Sequence, residues 1–187
     1  MRRIANPVII GLVFLGGMVM FGCGSIPPTD PLSADRTTAK VVFIMPNSGV
    51  TIAGLGAIAV GTQFYLWDSN SFISSIGAKQ YLECNFKAGT HYFMASGSNW
   101  YIVQADLAAG KTYYFEVITL PGFSSPAVRL RFIEPGDPEL AGYLNDSKQI
   151  SPKGKTSEGM IKEAGEKLEA ARGGSQNIDR VSANKGI

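Results

Sequence analysis

Tyr101-Ile-Val-Gln-Ala-Asp-Leu-Ala-Ala-Gly-Lys-Thr-Tyr-Tyr-Phe-Glu-Val117 decides the fold. Tyr101, Val103, Ala105 and Leu107 fall on one side of a period-two pattern, with Gln104 and Asp106 on the other. Ala109-Gly110-Lys111 interrupts the run, and beyond it Tyr113, Phe115 and Val117 oppose Thr112, Tyr114 and Glu116. Alternation of this kind marks strands with one dry and one wet face, and a glycine-containing break between two of them marks a turn. The pattern returns downstream, where Val128, Leu130 and Phe132 oppose Arg129 and Arg131.

Working outward, Lys40–Met45 is β-branched and aromatic and is broken by Pro46-Asn-Ser-Gly49. Gly54 to Gly61 is small and glycine-rich, a turn or bulge region. Gln63–Trp67, Phe72–Ile76, Gln80–Phe86 and Thr90–Ala95 follow as strands, divided by Asp68–Ser71, Lys87-Ala-Gly89 and Ser96–Asn99. Seven or eight short strands with turn residues every eight to twelve positions predict an antiparallel, immunoglobulin-like β-sandwich over about residues 40–134. No βα alternation is present, which argues against a parallel doubly wound sheet.

The N-terminus carries a different signal. Met1-Arg2-Arg3 precedes an apolar run from Pro7 to Gly22, and Cys23 closes it. A membrane-spanning helix needs about 20 apolar residues, so this run suits the h-region of a secretory signal better than a permanent span. The layout resembles a bacterial lipoprotein signal: residues 1–22 would be removed and Cys23 would carry the acyl chains. Met20 and Phe21 depart from the small residues usual before such a cysteine, whereas Gly22 fits. The alternative is an uncleaved anchor with an incidental cysteine. Acylation holds a protein by roughly 0.8 kcal/mol per buried methylene, and stable anchoring takes more than one chain. Gly24, rather than Asp, follows the cysteine, which implies an outer-membrane location facing the periplasm. Residues 23–39, with Pro27, Pro28 and Pro31, read as lipidated cysteine and tether, and at about 3.1 Å per residue they reach roughly 45 Å.

The chain has 17 basic and 15 acidic residues, and two of the basic ones, Arg2 and Arg3, lie in the signal. The remainder is electrically balanced, which gives no footing for nucleic-acid binding. With Cys23 acylated, Cys84 has no disulfide partner, and its place in the alternation of Leu82–Phe86 makes it a small core hydrophobe.

After the sandwich, residues 135–150 form a linker with a short helix, opened by Asp137 as cap and Pro138 at the first helical position. Residues 151–187 are expected to form a marginal amphipathic helix over 157–172 followed by a disordered tail. The stripe Ile161, Ala164, Leu168 is thin, and Gly159 and Gly165 weaken it by about 1 kcal/mol each relative to alanine. Such a helix needs a partner to dock on, or it frays.

Chemistry is sparse. His91 is the only histidine, too few for a zinc site, so no metal and no cofactor is expected. A hydrolase would need His91 beside a serine on a strained elbow, and Gly122-Phe-Ser-Ser-Pro126 lacks that form. Gly54-Leu-Gly56 lacks the Gly-Lys-Ser/Thr of a phosphate loop. Trp67, Trp100, Tyr65 and Tyr114 fall on strand phases opposite the core, which suggests a face for a sugar or a protein partner. The alternative is that they pack at sandwich edges or under loops.

Leu66-Trp-Asp68, Ile73-Ser-Ser-Ile-Gly77, Lys87-Ala-Gly-Thr-His91 and Ala108-Ala-Gly-Lys-Thr-Tyr-Tyr-Phe115 together resemble an envelope lipoprotein family with no assigned activity, domain of unknown function 2846. The resemblance covers about residues 40–118 and departs from the family's pattern at Ala88, where proline is common, and in the stretch 51–61. It implies a lipid-anchored β-sandwich and no reaction. The functional expectation is therefore a non-catalytic, palmitate-bearing envelope protein that offers its sandwich to a protein partner. The alternatives are a peptidoglycan- or glycan-binding module using the tryptophans and, third, a hydrolase.

Overall fold

The computed structural model describes residues 37–46, 63–121, 125–152, 155–175 and 178–187 in full, together with the backbone of 49–52 and 56–59. Cys23 and the tether lie outside the described residues. The strands are β1 (Thr38–Met45), β2 (Gly49–Ile52), β3 (Gly56–Ala59), β4 (Phe64–Asp68), β5 (Ser71–Ile76) and β6 (Gln80–Lys87). They continue as β7 (Gly89–Ser96), β8 (Trp100–Leu107), β9 (Thr112–Leu120) and β10 (Ala127–Ile133). Helix α1 (Leu140–Asn145), β11 (Lys148–Ile150), helix α2 (Glu158–Arg172), β12 (Asp179–Val181) and a 3₁₀ turn (Ala183–Lys185) complete the chain.

Two five-stranded sheets face each other, ordered β10-β9-β1-β6-β11 and β12-β8-β7-β4-β5, while β2 and β3 form a separate hairpin. The predicted β-sandwich with a C-terminal helix is what forms. The sheets are mixed rather than purely antiparallel, because β1 pairs parallel with β9, β11 with β6 and β12 with β8. Parallel neighbours need long connections, and here strands of the second sheet or a helix lie between each such pair.

The inward phases follow the sequence pattern. Val103, Ala105 and Leu107 from β8, Tyr113, Phe115 and Val117 from β9, and Val128 and Leu130 from β10 are buried together with Val41, Phe43 and Cys84. Phe93 centres an aromatic cluster, with ring centroids 5.4 Å from Phe43, 5.5 Å from Phe115 and 5.1 Å from Phe86. Edge-to-face pairs of this kind add roughly 0.5–1.5 kcal/mol each beyond the area they bury. Ala88 alone separates β6 from β7 in the other sheet, and Gly89 beside it takes φ 135°, a conformation that disfavours any side chain.

Residues 134–187 wrap this framework. Helix α1 lies on the outer face of the first sheet with Val42, Ile44 and Ile133, and α2 on the outer face of the second with Trp67, Met94 and Ile102. The linker adds β11 to the first sheet, and the tail expected to be disordered instead adds β12 to the second and ends in paired backbone, Ile187 N donating to Thr112 O at 3.0 Å. Val181 joins the main core, and Tyr113 Oη donates to Ala183 O at 2.8 Å. Gly186 packs so closely on Tyr113 that a Cβ there would sit 2.6 Å from the ring. Packing of three-residue strands, invisible to periodicity, overrides the polar composition of 173–187.

The strands of the two large sheets run between two poles. Thr38 pairs with Lys87, and its carbonyl accepts from Gly110 N at 2.7 Å, so β1 starts beside the turns at 88–89 and 108–111 and beside Ile187. Met45 pairs with Gln80 at the other pole, which carries the β2–β3 hairpin, the turns at 77–79 and 97–99, and the start of β10. Asn99 ties that pole together, its side-chain amide donating to Val128 O at 3.0 Å and accepting from Val128 N at 2.6 Å.

Candidate functional site

The aromatic face foreseen from the sequence does not exist as an open surface. Trp67 is fully buried, its indole N–H donating to Ser96 Oγ at 3.2 Å. Trp100 lies 5.7 Å from Trp67, half-buried, with Nε1 donating to Glu163 Oε1 on α2 at 2.8 Å. Tyr65, on the same sheet, remains 38% exposed beside Phe72. Tyr114 belongs to the outer face of the other sheet, packed near α1. The four residues therefore form no single face.

What covers the tryptophans is the predicted docking helix. Ala164, Leu168 and Ala171 are buried against Trp67, Met94 and Ile102, while Ile161 stays 39% exposed. Ser157 caps the helix by accepting from Met160 N at 3.3 Å, worth about 1 kcal/mol. Arg172 in the last turn complements the negative helix end and lies 4.8 Å over the Tyr92 ring. The helix finds its groove on its own chain. The short helix starts later than expected: its N-cap is Glu139 rather than Asp137, whose Oδ1 accepts from Glu139 N at 2.9 Å just ahead of it.

His91 sits at the Thr38 pole between β4 and the β6–β7 turn. Its Nδ1 lies 2.8 Å from Asp68 Oδ2 and its Nε2 lies 2.8 Å from Lys87 O. Both neighbours are acceptors, so only the doubly protonated ring satisfies both contacts. Burial pulls its pKa down, but the hydrogen bond and charge of Asp68 and the Lys87 carbonyl outweigh it, and the value lies above the ordinary 6.5. The position a nucleophile would take beside Nε2, were this a hydrolytic dyad, is filled by a peptide carbonyl.

On the outer face of the first sheet, Arg131 Nη2 meets Glu116 Oε2 at 2.6 Å, and Tyr143 Oη donates to Glu139 Oε2 at 2.5 Å. The Glu139 hydrogen bond, with burial and nearby carboxylates, pushes the Tyr143 phenol up to about 12. These groups are spent on one another: the first pair joins β9 to β10, and the second lies within the α1 segment. Among the described residues no three His, Cys, Asp or Glu side chains gather as metal ligands, and no helix is long and apolar enough to cross a membrane.

Two clefts flank β12. One, of about 280 Å³ between β10 and β12, is rimmed by Arg129, Arg131, Lys185, Glu134 and Asp179. The other, of about 430 Å³, lies between the end of α2 and the sheet. Sequence reasoning missed both, because β12 carries too few residues to show a period. Comparison with family models, curated proteins and solved structures returns no match.

Proposed function

We propose that the chain is a lipid-anchored, non-catalytic protein of the bacterial cell envelope, held by acyl chains on Cys23 and presenting its sandwich to a protein partner. The observation that carries this reading is the polar arrangement of the fold. The tether enters at Thr38, and the β2–β3 hairpin and the turns at 77–79 and 97–99 stand at the opposite end. A domain hung from one pole turns the other outward. The sequence of residues 1–23 supplies the anchor, and the tether's reach of roughly 45 Å supplies the distance. The likeness of Lys87–His91 and Ala108–Phe115 to the envelope lipoprotein family fits the same picture, as both segments are turns at the tether pole.

Labelled palmitate tests the anchor: incorporation into the chain, lost with Cys23→Ser together with membrane fractionation, is the expected result. Photocrosslinking groups at exposed Lys79 and Ser98 in whole cells should then give a discrete adduct that the same groups at Ala88 and Ala109 do not. Equal adducts from both poles would overturn the outward-pole reading, and an unlabelled chain would overturn the anchor.

A further inference from the structure

The larger cleft is built by register. Tyr92 pairs with Gln104 across β7 and β8, and Gln104 pairs with Arg180 across β8 and β12. Paired positions share a sheet face, and Ile102, two residues before Gln104, lies under α2. Tyr92, Gln104 and Arg180 therefore form one row on the outer face. The last turn of α2 closes the row with Ala171, Arg172 and Gly174, enclosing about 430 Å³.

The charge in this cleft is one-sided. Two guanidinium groups and an amide line it, and among the described residues no carboxylate does. The neighbouring cleft, by contrast, sets Glu134 and Asp179 among its cations. Arg172 rests over the Tyr92 ring, Cζ 4.8 Å from its centroid, and gives Nη1 to Glu169 at 3.2 Å, a residue whose side chain is 73% exposed. Arg180 has no ion-pair partner among the described residues. Asp106 lies farther along the same face, but its carboxylate accepts from Thr90 Oγ1 at 2.7 Å and does not line the cleft. The carbonyls of Glu169, Ala170 and Ala171 at the helix end accept from Gly173, Ser175 and Gly174 N–H, so their negative ends are already engaged.

We propose that this cleft binds a small oxyanion, a carboxylate or a phosphate, gripped by Arg172 and Arg180 with the Gln104 amide between them. Guanidinium groups are donors only, and their planar forks match both anions in geometry. In the envelope such groups arise as carboxylates of wall peptides or as phosphates of lipids and polymers. Binding does not depend on the anchor, so it can fail or succeed independently of the function proposed above.

The test is a titration of the isotope-labelled full chain in a non-ionic detergent with inorganic phosphate and, separately, acetate, at constant ionic strength. Saturable shifts of the Arg172, Arg180 and Gln104 side-chain signals are expected. Arg180→Ala should weaken the apparent affinity about tenfold, as losing a charge-assisted pair does, and Arg172→Lys should weaken it while keeping the charge. Lys162→Ala, at a side chain 81% exposed elsewhere on α2, should leave it unchanged. Saturation by phosphate alone assigns a phosphate ligand, and by acetate a carboxylate. Shifts that grow linearly with concentration, or that persist in Arg180→Ala, would overturn the site.

Discussion

The two outer faces of the sandwich are covered to very different depths. On the first sheet Val42, Ile44 and Ile133 are the buried residues, and the six-residue α1 that covers them buries none of its own. On the second sheet Trp67, Met94 and Ile102, flanked by Phe72, Tyr92 and Trp100, call for a 15-residue helix that buries Ala164, Leu168 and Ala171. Cover scales with the apolar area each sheet leaves outside. A face of three buried aliphatic residues, flanked by the half-buried Tyr81 and Tyr114, can share its rim with Arg131, Glu116 and Tyr143, whereas a fully buried indole must be sealed.

Truncating one anchor on each side should expose this asymmetry. Leu168→Ala, at a site 5% exposed, is expected to cost about 3 kcal/mol, and Leu144→Ala, half-buried on α1, about 1 kcal/mol. Chemical denaturation of both variants checks the ratio, and equal losses would mean that the two covers contribute alike.

The same contrast reaches the Thr38 pole. There β4 is held to the β6–β7 turn by His91, a polar joint where the α2 face uses hydrophobic burial. Because the folded pKa of His91 lies above its ordinary 6.5, the stability it contributes is fully present below that pH and is lost as pH rises through the folded value. His91→Gln should cost about 1.5 kcal/mol at low pH, in the range of hydrogen bonds to charged groups. The gap from the parent should narrow in the alkaline direction, read from melting temperatures across pH. A gap that widens with pH would reverse the assignment.

The smallest effect belongs to Ile161. The sequence pattern marked it as a docking anchor beside Ala164 and Leu168, yet it faces outward. Ile161→Ser should change stability by no more than about 0.5 kcal/mol.

Much of the framework was legible before any coordinates. The phases of Val103, Phe115 and Leu130 emerged as read, because a sheet with one wet face writes its orientation in every second residue. The start of α2 was legible in Ser157, and Cys84 fell where the alternation of Leu82–Phe86 put it. The candidate site was legible only in halves. Trp67 and Trp100 on one side, and Ala164 and Leu168 on the other, were each identified as surfaces in want of a partner. An amphipathic pattern states that a face must be covered and is silent on whether the cover comes from the same chain. The indole phase of Trp67 was read correctly as pointing away from the main core, but a second core lay on that side. The register shift between Leu66 and Trp67, and the parallel pairings of β11 and β12, had no local signature at all. Three-residue strands are held by the neighbours they meet, as Val181 shows by entering the main core from a tail of polar composition.

The central claim is that α2 seals the second sheet within this one molecule. Acrylamide quenching of a Trp100→Phe chain, in which Trp67 is the sole remaining tryptophan, tests it most directly. The structure predicts an indole almost inaccessible to quencher. Quenching at the rate of a solvent-exposed tryptophan would show that the helix does not lie where this account places it.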